Sequence, residues 1–361
     1  MQRPLAFDLG PVRVSPACVL APMEGVTDRP FRTLIRGLGG CGLTVTEFVS
    51  SEAMSRQVAK AWKMAELDPD EHPVSIQIYG RDPGRMAESA RFCQDLGADV
   101  VDLNLGCPSK RVTGGCAGSA LMRDPELAGE IFDAVRAAIT VPMSVKMRLG
   151  WDRESINAPD IAYRAQEAGA AMVTVHGRTR QDLYKGQADW TAVARVKERV
   201  GIPVLVNGDI LTVADAVTAL EQSGADGVMV GRGAMRDPWI LRAIADHFAG
   251  TPHVEPTLEM RREEILRYFQ LIVADGPDRF ALGKMKKVVS YFTRGLPFGA
   301  RLREAVFGAT DTTAGSRAVA EYFDLLIAHN LREGFARVVL DAPDARQTYN
   351  PGDSRRLERG P

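Results

Sequence analysis

Between Cys18 and about Phe248, short runs of apolar and β-branched residues alternate with longer stretches in which apolar residues recur every three or four positions. This alternation is the pattern of parallel βα units. Eight strands are predicted: CVLAPM (18–23), LTVTEF (43–48), VSIQIY (74–79), VVDLNL (100–105), PMSVKMRL (142–149), MVTVHG (172–177), PVLVNG (203–208) and GVMVGR (227–232). They begin roughly 24 to 42 residues apart, the spacing of an eight-stranded barrel of about 250 residues. Several intervals share a Gly-Ala or Gly-Ile turn, as in LGADVVDL, AGAAMVTV, VGIPVLV and SGADGVMV, where glycine ends a helix in a left-handed conformation and lets the next strand begin. The quasi-repeat favours a closed barrel over an open sheet, and two half-barrels of four units would carry the same signature.

The pattern breaks at HFAGTPHVEPT (247–257), where Gly and two prolines mark a linker. LEMRREEILRYFQLIV, the segment 279–294 and SRAVAEYFDLLIAHNLREGF then show helical spacing with no strand-like alternation. The expected fold is therefore α/β, an eight-stranded parallel (TIM) barrel in residues 1–246 followed by a small all-α bundle in 257–340. The polar, Pro/Gly-rich stretch 341–361 is expected to be a disordered tail.

Composition changes this picture little. The 45% hydrophobic and 25% charged residues are those of an ordinary globular protein. No run of 18 apolar residues could cross a bilayer, and MQRPLAFDLGPVRVSP lacks the layout of a signal peptide, so the expected location is the cytoplasm. Five cysteines without a C-x-x-C pair indicate neither a disulfide framework nor a zinc site, and no metal is expected. Charge is more informative in its distribution than in its total of −1. From Arg279 to Arg303 there are seven Lys/Arg and no Asp or Glu, and a local positive surface of this kind suits nucleic acid. Lys284, Lys287, Tyr291 and Arg294 follow one another at three- and four-residue spacing, beside an apolar stripe of Ala281, Met285, Val288 and Phe292. The apolar stripe is expected to pack on the bundle while the basic one faces RNA.

Functional residues of such barrels sit at the C-terminal ends of strands, and unusual residues gather there. Strand one ends in Pro22-Met23-Glu24, strand three holds Gln77, strand four ends near Asn104 and Cys107, and strand five carries Lys146. Strand six ends in His176 before Arg178, strand seven in Asn207-Gly208-Asp209, and strand eight in Gly231-Arg232. The last two turns lie where barrels commonly cradle phosphate, although each alone could be merely a tight turn needing glycine. An unpaired lysine in an apolar strand is expensive to bury, so Lys146 is expected to point into the mouth. Gly106 and Pro108 fix a turn that presents the Cys107 thiol, which is mostly protonated at neutral pH and can donate a proton or act as a nucleophile.

At APMEGVTDRPFR, DLNLGCPSKRV, GGCAGSALM, VKMRLGW, VHGRTR, VNGDI and VGRGAMRDPWI the sequence resembles the tRNA-dihydrouridine synthase family, most closely its bacterial B-type branch, over roughly residues 12 to 335. The resemblance implies an FMN-binding barrel, NADPH as reductant, tRNA as partner, and reduction of a uracil C5–C6 double bond. It implies hydride from flavin N5 to C6 and a proton from Cys107 to C5. It places flavin contacts at Pro22, Met23, Glu24, Gln77, Lys146, His176, Asn207, Gly208, Asp209, Gly231 and Arg232, and substrate contacts at Asn104 and Arg178. Glu24 stands where many relatives have a small residue, which leaves its side chain without an inherited role. Two other readings compete: a barrel flavoenzyme acting on a free pyrimidine, like dihydroorotate dehydrogenase, and a non-catalytic RNA-binding protein. The basic segment argues against the first, and Cys107 together with Lys146 against the second. A monomer is the default expectation.

Overall fold

The computed structural model describes residues 6–293 and 296–328; Arg294, named above among the substrate contacts, and the tail 341–361 lie outside them. Strands β1 (Phe7–Leu9) and β2 (Val12–Val14) form an antiparallel hairpin. The barrel strands follow as β3 (Cys18–Leu20), β4 (Thr44–Val45), β5 (Val49–Ser50), β6 (Val74–Tyr79), β7 (Val100–Leu105), β8 (Met143–Arg148), β9 (Met172–His176), β10 (Val204–Asn207) and β11 (Gly227–Val230). All pairings among them are parallel, in the order β3-β11-β10-β9-β8-β7-β6-β4, with β5 also on β6. A parallel bridge between Val19 and Leu43 brings the ends of the sheet together. With β4 and β5 sharing the second position, these are the eight predicted units.

Two departures from the predicted strands stand out. The second unit is broken between β4 and β5, because Thr46 Oγ1 accepts the Gln77 N–H at 3.2 Å and donates to the Glu47 carbonyl at 2.8 Å, which replaces ladder bonds and turns Glu47 toward the loop after β3. The predicted strands also ran too far at their C-terminal ends: Ala21–Met23, Gly177, Gly208 and Gly231 are loop or turn, and Arg232 opens the short helix Arg232–Arg236.

The strands sort their side chains by a period of two. Ile76, Ile78, Val101, Leu103, Val145, Met147, Val173, Val175, Val204 and Val206 pack outward against the surrounding helices. Of the inward-facing residues, Val19, Leu43, Val45, Val100, Met172, Leu205 and Met229 fill one end with Phe7, Leu9 and Val14 of the hairpin, which seals the barrel floor. Polar residues occupy the remaining inward positions, Gln77, Asp102, Asn104, Ser144, Thr174, His176 and Asn207, all of them buried. The apolar floor makes the barrel stable, and the polar upper layers are its working end.

Among the described residues four helices follow the barrel: Leu258–Asp275, Asp278–Phe292, Gly299–Gly308 and Thr312–Ala328. The first docks on the barrel helix Arg29–Leu38 through Phe31 and Tyr268, ring centroids 5.9 Å apart, and through the Arg29–Asp275 salt bridge at 2.8 Å. Tyr268 also meets Phe292 of the second helix at 5.7 Å. Among the described residues no helix is long and apolar enough to cross a membrane.

Candidate active site at the barrel mouth

Strand register lines up the polar side chains in layers. Gln77 pairs with Asp102 and Asp102 with Ser144; Asn104 pairs with Lys146 and Lys146 with Thr174; Arg148 pairs with His176 and His176 with Asn207. In the lower layer Asp102 accepts from Gln77 Nε2 and Ser144 Oγ, each at 2.5 Å, and burial raises its pKa. Gln77 in turn accepts from Asn104 Nδ2 at 2.7 Å. Both of the Asn104 amide's functions are used, since its Oδ1 accepts the backbone N–H groups of Gly106 at 3.0 Å and Cys107 at 2.8 Å. A chain of four polar side chains thus runs from the barrel interior to the cysteine loop and fixes where the loop begins.

Cys107 follows β7 and packs beside Phe48, Tyr79, Val112 and Ala117. Its carbonyl accepts from Ser119 Oγ at 2.9 Å and Ser119 N at 3.1 Å, which pins the loop from the other side. Burial pushes the thiol pKa up, partly offset by hydrogen bonding from Ser109. At neutral pH it is therefore a protonated acid rather than a thiolate. Cys116, in the following turn, is exposed, whereas Cys18 lies in β3, Cys41 in the loop before β4 and Cys93 in the helix Pro83–Asp95.

The upper layers are cationic. Lys146 Nζ donates to Asn207 Oδ1 at 3.0 Å, and Asn207 Nδ2 donates to the Met229 carbonyl at 2.8 Å. Burial, and then the nearby Arg148, lower the Lys146 pKa to about 8. His176 is held neutral, its pKa well below the ordinary range, by burial and by Arg148, Lys146, Arg178 and Arg232 around it. Arg178 and Arg232 converge on one carboxylate: Asp209 takes Arg232 on Oδ1 at 2.7 Å, and Arg178 together with the Ala188 N–H on Oδ2. Asp209 thus orients two arginines from behind the site.

Arg178, expected among substrate contacts, is only 1% exposed. Its guanidinium donates to the carbonyls of Lys185 and Gly186 and to Asp209, and approaches His176 Nε2 at 3.3 Å. This geometry holds the loop after β9 rather than reaching outward. Gly208 lies against His176 with φ +114°, and a Cβ there would stand 2.7 Å from His176 Cδ2 and 2.9 Å from Ala188 Cβ. Gly208→Ala is expected to cost roughly 1–3 kcal/mol of stability, measured by denaturant unfolding. Gly231 lies beside Ala21 and Met23 of the first loop.

The loop after β3 is held by side chains from elsewhere. The Gly25 N–H donates to buried Glu47, and Glu24 pairs with Arg111, in the short helix Lys110–Thr113 that follows Cys107. Glu24 thereby gains a role for its side chain, a tie between the first loop and the cysteine loop.

The basic stripe of the second C-terminal helix is turned the other way from the expected one. Lys284 pairs with Asp28 and lies over the Tyr268 ring, 5.5 Å from its centroid, and Lys287 donates to the Gly25 carbonyl at 2.8 Å. Tyr291 is half-buried against the core. Asp28, Glu47 and the Gly25 carbonyl on the barrel draw the amines inward, and groups so distant in sequence are invisible in a window along one segment. Lys284 and Lys287 therefore dock the helices on the first loop, while Arg279 and Arg301 of the same basic segment are exposed. Lys284→Ala with Lys287→Ala is expected to destabilise this docking, seen as a lower melting temperature.

Sequence reasoning missed Asp102, Ser144, Arg148 and Tyr184. The first three were within reach, since they lie two residues from Asn104 or Lys146 on the same strand face. Arg148 donates to the carbonyls of Gly106, Thr179 and Leu183, each at 2.8 Å, and with Arg232 it lies over the Tyr184 ring. Tyr184 sits in a loop with no periodic signal. Among the described residues no cluster of His, Cys, Asp or Glu could hold a metal.

Lys146, Arg148, Arg178 and Arg232 outnumber the ionised carboxylates beside them, and buried charge in excess calls for a counterion. A barrel that gathers buried cations at its C-terminal mouth, next to a protonated thiol, has the layout of an enzyme site suited to an anionic ligand. The family described as Dihydrouridine synthase (Dus) matches residues 19–325. The chain belongs to the dihydrouridine synthase family. It is 42% identical over 324 residues to "Probable tRNA-dihydrouridine synthase" of Rickettsia bellii, covering 88% of this chain and 98% of that one. It is 39% identical over 324 residues to "tRNA-dihydrouridine synthase B" of Xanthomonas axonopodis, covering 89% and 97%. Among solved structures it resembles a 2-naphthoyl-CoA reductase in fold, with a TM-score of 0.52 at 12% identity over 70% of this chain and 53% of that one.

Proposed function

We propose that this chain reduces uridine in tRNA to 5,6-dihydrouridine, with FMN held in the barrel mouth and NADPH as the source of electrons. The observation that carries the reading is the meeting of family membership with a loop-borne, protonated Cys107 beside a cationic barrel mouth. The activity of the curated relatives, as their names state it, is exerted on tRNA, which favours RNA over a free pyrimidine.

The residues fit a flavin mononucleotide. Thr174 Oγ1, paired in register with Lys146 in the polar layers, is buried with no hydrogen-bond partner. Gln77, Lys146 and Asn207 would face the ring system, while Arg232, Gly208 and Gly231 would hold the phosphate, with Asp209 and Arg178 behind them. Pro22, Met23 and the backbone of Glu24 would bound the ring from the first loop. Bound there, a flavin would supply the hydride chemistry for reduction of the uracil double bond.

The chain's own part is alignment, electrostatics and a proton. Cys107 gives its proton to C5 of the uracil, and Asn104 and Ser119 hold the loop that aims the thiol. Lys146 carries positive charge to where negative charge accumulates on reduction. His176, kept neutral, offers hydrogen bonding without adding charge. Purified protein should be yellow, bleach with NADPH and regain its colour with tRNA, and a deletion strain should lack dihydrouridine at specific tRNA positions. A colourless protein with normal dihydrouridine in the deletion strain would overturn the reading.

A further inference from the structure

One cationic cluster at the mouth is used neither by the polar layers nor by the cysteine loop. Trp151 lies in the loop after β8, and two guanidiniums share its indole: Arg180 Cζ is 4.5 Å from the ring centroid and Arg123 Cζ 4.9 Å. Arg123 ends the 3-10 turn Gly118–Arg123, which Ser119 ties to Cys107. Arg180 follows β9, and its backbone N–H donates to the Gly150 carbonyl at 2.9 Å while the Gln181 N–H donates to the Trp151 carbonyl at 2.9 Å. Three elements around the thiol are thus stapled together with their charges converging.

Neither guanidinium forms a salt bridge among the described residues. Arg180 Nε is buried without a hydrogen-bond partner, a state that costs free energy until an acceptor arrives. The acidic groups nearby are engaged or turned to solvent. Asp152 accepts from Ser155 Oγ at 2.7 Å and lies within the field of Arg123 without pairing with it, Asp182 accepts from Thr179 Oγ1 at 2.7 Å and pairs with Arg153 at 3.3 Å, and Glu154 is exposed. Stacking on the indole holds each planar fork in place before a ligand comes, which suits an oxyanion that can take paired N–H bonds.

Position in the ring says which oxyanion. In the order β3, β4, β6, β7, β8, β9, β10, β11 the strand β8 stands directly opposite β3. The helical module docks on the loop and helix after β3. Cys107, after β7, lies between the two. A chain whose target base must reach the thiol would pass over the mouth from one side to the other.

We infer that Arg123 and Arg180, held on Trp151, take backbone phosphates of the RNA on the rim opposite the helical module. With phosphates held on that rim, the target nucleotide is presented at the thiol, between the rim and the helical module. This rests on the tRNA reading above.

The test is tRNA affinity as a function of salt for Arg123→Ala, Arg180→Ala and the double variant, together with the KM for NADPH. Each phosphate that an arginine no longer neutralises should flatten the slope of log affinity against log salt by nearly one unit, so the double variant should flatten it by about two. Trp151→Phe should keep the slope, and Trp151→Leu should flatten it, since only the first retains a ring beneath the guanidiniums. Flavin content, melting temperature and NADPH KM should stay at wild-type values in the arginine variants. A folded double variant with the wild-type slope overturns the inference. So does an unchanged slope with a raised NADPH KM, which would assign the cluster to the reductant's phosphate. A wild type that binds no tRNA overturns the substrate reading and this one with it.

Discussion

Cys107→Ala is expected to cut dihydrouridine formation by roughly 10²–10⁴-fold, the contribution of a positioned acid, while flavin content and flavin reduction by NADPH stay near wild type. The thiol sits on a loop fixed by Asn104 and Ser119, and the side chains around it are Phe48, Tyr79, Val112 and Ala117. Removing one sulfur from this apolar cluster leaves the polar layers below it intact. Because burial raises the thiol's pKa, the active form is the protonated one. Wild-type product formation should therefore fall as pH rises through that raised value. The alanine variant should lose this limb of the profile. Quantifying dihydrouridine after incubation with unmodified tRNA gives the rate, and stopped-flow bleaching gives the reductive half. Near-normal product from the variant would move the acid to Cys116, which is exposed in the turn after the same loop. Cys107→Ala with Cys116→Ala would then decide between them.

What the sequence revealed and what it hid divide along one line. Period-two alternation and turn glycines report local chain geometry, so all eight barrel units and the mouth residues at their ends were legible. Lys146, His176, Asn207 and Gly208 stood out because a polar or flexible residue interrupts an apolar strand end. The hairpin at Phe7–Val14 is too short for periodicity to announce, and its importance comes from the floor it closes. Side-chain direction was harder still. Arg178 reads as a free cation after a strand, yet Asp209, 31 residues later, captures it. Lys284 and Lys287 read as a basic face, yet Asp28 and Gly25, some 260 residues earlier, turn that face onto the barrel. Glu24 and Arg111 meet across 87 residues. Each of these depends on a partner brought close by tertiary folding, which no pattern along one segment contains.

Lys146→Met is expected to weaken flavin binding roughly 10- to 100-fold, the loss of one charge-assisted hydrogen bond worth about 1.5–3 kcal/mol, and to slow reduction of whatever flavin remains. Methionine keeps the length and volume of the side chain, so the strand packing survives while the charge does not. The midpoint potential of the retained flavin should move negative, since the reduced form is the one a cation favours. A second consequence follows from the amine's own titration. In the ligand-free protein its pKa is lowered from 10.5 to about 8, chiefly by burial. Between those values the unfolded chain binds more protons at this group than the folded one, so folding stability should rise with pH across that window. Below about 8 the charged amine is carried in both states and its burial is a steady cost. Lys146→Met should remove the rise and be more stable than wild type near neutral pH when both are stripped of flavin. Denaturant unfolding of the apo proteins at pH 7 and pH 10 measures the difference directly. A variant that holds flavin as tightly as wild type, with an unshifted potential, would take Lys146 out of the flavin site and leave its charge to serve the RNA.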